Sequence, residues 1–242
     1  MEKEGIRVII TDWDDTCVDT FNPVVVAVRD FGIAYDLPVP SLDNIEVLAQ
    51  KLREYWGVRI ANQFAEIWPG FNAEELERKY LAFIKECHLC PEPFPGVIEA
   101  INKLQKMVQI VGVVSSGVEA VMKESLNFHF SRLERPYDFF YGRESCPVDY
   151  SPGKFLKTAG TFNPAFKLLN KVGLNEEVTA YIGDSSVDFQ ASKERGIEVF
   201  LGVLTGHTTR DKFLELGLED KFIIPSLAQV PERLEELKLV QS

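Results

Sequence analysis

Basic residues are scarce in this chain: 26 Lys and Arg stand against 37 Asp and Glu, a net charge of -11 over 242 residues. So acidic a chain argues against general nucleic-acid binding, because phosphate backbones are held by basic faces. It leaves small phosphorylated molecules open, since a bound divalent cation reverses the local field. Long apolar runs are also missing. None approaches the roughly 20 residues that span a bilayer, so no membrane partner is expected. The opening Met1-Glu2-Lys3-Glu4-Gly5 lacks the basic start and apolar stretch of a signal peptide, and a cytoplasmic setting is expected. Four cysteines are too few for a disulfide framework at this length. Cys87-His88-Leu89-Cys90 has zinc-like spacing, but no second Cys/His pair supplies the other ligands, so a helix end with incidental thiols is the better reading. Cys17 and Cys146 read as small apolar fillers. Repeats, low-complexity tracts and coiled-coil heptads are absent, and the oligomeric state stays open.

What is present begins with Val8, Ile9 and Ile10, a run without alternation, as in a parallel strand buried on both faces. From 22 to 90 no convincing strand follows. Asn22-Pro23 reads as a cap with proline at the first helical position, opening a helix to about residue 35. Asp43 with Glu46 marks a second helix, with Ile45, Leu48, Ala49 and Leu52 on one stripe that Tyr55 and Trp56 extend. Asn72 with Glu75 opens a third, bearing Leu76, Tyr80, Phe83 and Ile84. The proline-rich segment 90–96 closes this block. Beyond it, helix and strand alternate: helices at 97–106, 164–172 and 210–216, strands at 108–114, 139–141, 178–182, 199–204 and 222–224. This order predicts an α/β fold, a doubly wound Rossmann-like parallel sheet with a small all-helical domain inserted after the first strand. The expected core is 1–17 and 93–242, and the expected cap is 18–92.

Three strands end in polar signatures. Asp12-Trp13-Asp14 ends the first, and the strand period points Asp12 and Asp14 the same way, with Trp13 opposed and packed inside. Ser115-Ser116-Gly117 ends another, with hydroxyls and a glycine suited to cradle an anion. Gly183-Asp184-Ser185-Ser186-Val187-Asp188 ends a third. Each alone is as readily a turn or helix cap. Brought to one sheet edge, four carboxylates require a compensating cation, and an all-oxygen site suits Mg2+. Tyr55, Trp56, Phe64 and Trp68 read as core of the helical block; His207 and Arg143 could reach the site, but solvated loop residues are the better reading.

These motifs resemble those of the haloacid dehalogenase superfamily phosphohydrolases. The apolar strand before Asp-x-Asp-x-Thr matches Val8 to Thr16, the strand ending in Ser matches Val111 to Ser115, and Gly-Asp-x-x-x-Asp matches Gly183 to Asp188. Phe94-Pro95-Gly96-Val97 resembles the start of the core's second helix in members with an inserted helical cap. Leu204-Thr205-Gly206-His207-Thr208 resembles a late turn of phosphoglycolate-phosphatase-like members.

The resemblance implies that Asp12 is the nucleophile and forms an aspartyl phosphate, while Asp14 protonates the leaving oxygen and then activates water. It implies Mg2+ held by Asp12, the Asp14 carbonyl and Asp184, with Asp188 behind them, and phosphate held by Ser115, Ser116 and a lysine. Loop length favours Lys157 over Lys154 for that lysine. Asp15 stands where the family commonly has glycine. Asp14 favours phosphoester chemistry, since the family's dehalogenases and phosphonatases lack an aspartate there. The expected activity is Mg2+-dependent hydrolysis of a small phosphorylated metabolite. A phosphosugar mutase, or a catalytically silent binding relative, is the alternative.

Overall fold

The computed structural model describes residues 5–40, 44–147 and 157–240. The helix-start signal at Asp43 and the alternative Lys154 lie outside them. Six strands form one parallel sheet: β1 (Val8–Thr11), β2 (Ile110–Val114), β3 (Phe139–Tyr141), β4 (Thr179–Gly183), β5 (Val199–Val203) and β6 (Ile223–Ile224). Their order across the sheet is β3-β2-β1-β4-β5-β6. β1 is therefore central and fully buried, which explains its unbroken apolar run. Its side chains alternate between two cores. Ile9 joins the layer under α5 (Val97–Met107) and α10 (Val230–Glu236), whereas Val8 and Ile10 join the layer under α7 (Asn163–Leu169) and α8 (Ser186–Arg195). Open sheets of this order bind ligands beyond the carboxyl ends of their strands, where the winding reverses beside β1.

Four helices are inserted after β1: α1 (Phe21–Ala34), α2 (Ile45–Glu54), α3 (Ile60–Ile67) and α4 (Ala73–Glu86). They share their own apolar core around Phe31, Phe64, Trp68 and Tyr80. The sequence patterns pointed to three helices, and α3 is the addition. It is eight residues long, and Arg59 at its N-cap makes no side-chain cap bond, so neither length nor capping announces it. α1 starts two residues earlier than Asn22-Pro23 suggests, because a carboxylate from outside the helix caps it: Asp15 Oδ1 accepts the N–H groups of Thr20 and Phe21, both at 3.0 Å.

The two chain crossings between insert and core run side by side. Asp19 N–H donates to the Glu92 carbonyl at 2.9 Å, Phe94 N–H to the Cys17 carbonyl at 3.1 Å, and Val18 bridges Pro93 in antiparallel fashion. Among the described residues no helix is long and apolar enough to cross a membrane.

Candidate active site

The ends of β1, β2 and β4 meet. Asp12 follows β1 directly, and its N–H donates to the Ile182 carbonyl at 2.8 Å, continuing the ladder to β4. The chain then turns tightly, with the N–H groups of Thr16, Cys17 and Val18 all converging on the Trp13 carbonyl. Asp15 completes this turn in left-handed geometry, at φ 55°. Aspartate tolerates that region better than most residues, which explains how it can stand where glycine is common. Trp13 is buried against Phe130, Tyr137 and Phe140, opposite the aspartates, as the strand period requires.

Lys157 reaches this turn from the segment before α7. Its Nζ lies 2.7 Å from Asp12 Oδ1 and 2.5 Å from Asp188 Oδ1, and donates to the Tyr181 hydroxyl at 2.9 Å. The ammonium donates to Asp188 and Tyr181, and Asp12 faces it as an ion pair. Burial disfavours that charge, but Asp12 and Asp188 outweigh it and hold Lys157 above its ordinary value.

Asp188 is saturated. Its Oδ1 accepts from Lys157 and Tyr181, and its Oδ2 accepts from Ser185 N–H at 3.1 Å and Ser185 Oγ at 2.5 Å. With Ser185 it forms the capping box of α8. The helix-cap reading of this motif is thus met, and the same carboxylate also holds Lys157.

Asp184 is less engaged: its Oδ1 accepts from Thr16 Oγ1 at 3.0 Å. Its Oδ2 lies against Gly206, where a Cβ would come within 1.7 Å, so only glycine permits this approach. Carboxylate oxygens of Asp12, Asp184 and Asp188 all lie within 4.8 Å of one another, and all three residues are buried. Three carboxylates face one ammonium. Burial foremost, with the neighbouring carboxylates, pushes Asp12 up to about 7 and Asp184 well above its ordinary value. A divalent cation on oxygen ligands fits this set, and Asp188, with its lone pairs used, fits behind the ligands rather than among them.

Asp14 stands on the opposite side, partly buried, with Thr20 Oγ1 donating to Oδ1 at 2.8 Å and Ser115 Oγ to Oδ2 at 3.4 Å. Burial holds its carboxyl above the ordinary range. Gly117 makes room for it, since a Cβ there would sit 2.3 Å from Asp14 Oδ2. Ser115 is buried beneath, while Ser116 and Gly117 line a cavity between core and insert.

Several residues of the site escaped sequence reasoning. Tyr181 carries a signal only in retrospect, pointing to the same side of β4 as Gly183. Arg143 is not a solvated loop residue: it is buried and lines the cavity beside Asp14, with its N–H donating to the Gly117 carbonyl at 3.0 Å. Phe64 and Trp56 serve both the insert and the cavity wall. His207 packs on Phe21, with ring centroids 4.3 Å apart, and does not reach the cavity. His88 bonds Glu124 at 2.7 Å.

The fold is shared with solved structures of low sequence identity. A predicted phosphatase from Clostridium acetobutylicum superposes with a TM-score of 0.71 at 16% identity, covering 96% of this chain and all of that one. A predicted phosphoglycolate phosphatase from Haemophilus somnus gives 0.69 at 16%, covering 94% and 97%. CbbY from Rhodobacter sphaeroides, solved with xylulose-(1,5)bisphosphate, gives 0.67 at 14%, covering 93% and 96%. No curated protein matches significantly. Residues 9–202 match the model of the haloacid dehalogenase-like hydrolases, so the motifs, the sheet order and the inserted helices have one explanation: the chain belongs to that family.

Proposed function

We propose that the protein is a Mg2+-dependent phosphatase that hydrolyses a small phosphomonoester through an aspartyl phosphate. Asp12 attacks phosphorus and the ester oxygen leaves with a proton from Asp14, which then takes a proton from the water that attacks the acyl phosphate. A carboxyl held above its ordinary range by burial is suited to carry that first proton. Lys157, Ser115 and Ser116 hold the phosphoryl oxygens. Asp12, Asp184 and the Asp14 carbonyl would hold Mg2+, which when bound offsets repulsion between carboxylate and phosphate. Asp188 fixes Lys157. Residues 18–92 form the cap domain on a core of 1–17 and 93–242, and the paired crossings serve as its hinges.

The observation that carries this reading is the position of the Lys157 ammonium, 2.7 Å from Asp12 and 2.5 Å from Asp188 at the joined ends of β1 and β4. A purely structural ion pair needs neither Asp14 beside it nor a cavity above it. The test is phosphate release from a panel of phosphomonoesters with Mg2+, by the native protein and by Asp12→Asn. Turnover should fall more than about a thousandfold in the variant. Release from no ester, or a variant rate near normal, rejects the proposal.

A further inference from the structure

The cavity above Asp12 has two unlike ends. Its floor is charged: Asp12, Asp14, Asp184, Lys157 and Arg143 all border it. Its walls are hydrocarbon. The insert contributes Val24 and Val28 from α1, Ile60 and Phe64 from α3, Ile84 from α4, and Leu89. The core faces them with Val118, Val121 and Met122 around the start of α6 (Glu119–His129).

Among the described residues, no charged side chain of the insert reaches this space; Thr20, Trp56, Gln63 and Tyr80 are its polar members. Two of these are already engaged, Thr20 with Asp14 at 2.8 Å and the Gln63 amide with the Val58 carbonyl at 2.9 Å. A sugar seated here would strip water from hydroxyls that find few partners, at about tenfold or more in affinity for each one left unpaired. A second anionic group at the far end would meet no cation. The cavity is about half open to solvent, and its volume of about 170 Å³ is shared between the charged floor and the apolar walls.

We infer that the substrate is the phosphate ester of an uncharged, hydrocarbon-rich alcohol or phenol. This rests on the phosphatase reading above and adds its substrate class. The phosphate lies among Asp12, Lys157 and Arg143, and the leaving group lies between α1, α3 and α6. Selectivity then comes from the removal of apolar surface from water.

The test compares kcat/KM for methyl, propyl, hexyl and phenyl phosphate with glucose 6-phosphate and phosphoglycolate, with Mg2+ present. Along the alkyl series it should rise about fourfold per methylene until the cavity fills, the equivalent of about 0.8 kcal/mol each. Hexyl phosphate, whose leaving alcohol is about as basic as that of glucose 6-phosphate, should exceed it by at least ~10-fold, and Val121→Asn should lower that ratio by a similar factor. Glucose 6-phosphate or phosphoglycolate matching the apolar esters overturns the substrate class and leaves the phosphatase reading intact. Hydrolysis of no ester defeats the phosphatase reading instead. The cavity is then decided by calorimetric titration of the Asp12→Asn protein with phenyl phosphate and glucose 6-phosphate. Tighter phenyl phosphate supports an apolar ligand, and equal or weaker binding overturns it.

Discussion

The carboxylate of Asp15 caps a helix of the insert from the core side: its Oδ1 accepts the N–H of Phe21, the first residue of α1, at 3.0 Å. The same oxygen takes the N–H of Thr20, and the Asp15 carbonyl accepts from Thr205 Oγ1 at 2.6 Å. One residue thus ties the turn after β1 to α1 and to the loop after β5. It does so in left-handed geometry, so two terms can be separated by substitution. Asp15→Asn keeps an acceptor and tolerates that geometry. Asp15→Gly loses the cap but relaxes the backbone, and should cost about 1 kcal/mol. Asp15→Ala loses both, adding about 1–2 kcal/mol for a Cβ in the left-handed region. Urea denaturation should therefore rank the variants Asn, Gly, Ala in falling stability. An Ala variant no worse than Gly would remove the backbone term from this account.

Lys157 gives a second prediction. Its side chain is 4% exposed and its charge serves two carboxylates that are themselves buried. Lys157→Met leaves Asp12 and Asp188 facing each other without the ammonium. Breaking a buried pair on one side typically costs about 3–5 kcal/mol, most of it from the charge left behind. Adding Asp188→Asn should therefore recover part of the loss, so that the double variant is more stable than the sum of the two single losses. Strict additivity in denaturant midpoints would mean the two groups are not coupled.

Much of this architecture is legible in the chain because buried parallel strands write themselves as unbroken apolar runs. Val8 to Ile10 and Val111 to Val114 are such runs, and the polar residues that end them must fall at the sheet's carboxyl edge. The insert is legible as the absence of strands from 22 to 90. What escapes are features set by another part of the chain. The start of α1 depends on Asp15 across a turn, α3 has neither length nor cap to mark it, and Arg143 looks solvated until β3 is docked beside β2. The apolar cavity is the clearest case. Val24, Ile60, Ile84 and Val121 lie on four different helices, and only the seating of the insert on the core turns them into one wall.

Metal addition provides a third test, read without turnover. If Asp12 and Asp184 hold Mg2+, saturating metal stabilises the fold by mass action, about 2.7 kcal/mol at a hundred times the dissociation constant. Thermal unfolding should shift upward with Mg2+ in the native protein and lose most of that shift in Asp184→Asn. Asp188→Asn should keep part of it, because Asp188 has no lone pair left for a ligand role. An undiminished shift in Asp184→Asn would move the metal elsewhere.

The last prediction concerns His207, whose Nε2 lies 4.0 Å from Asp15 Oδ2 and whose ring packs on Phe21 and Trp56 of the insert. Burial, assisted by the nearby Arg53, holds its imidazole below the ordinary value. The unfolded chain therefore takes up this proton first as pH falls through about 6.5, and folding stability is lost in that direction. Asp15 acts oppositely. Burial pushes its carboxyl up to about 7, so the folded state binds that proton first and gains stability as pH falls. The native slope is a mixture, but His207→Phe keeps an aromatic ring against Phe21 and removes only the histidine contribution. Between pH 7.5 and 5.5 the native protein should lose stability relative to the variant, measured as the difference between their urea midpoints. A difference that is constant across this range would show that His207 titrates alike in the folded and unfolded chain.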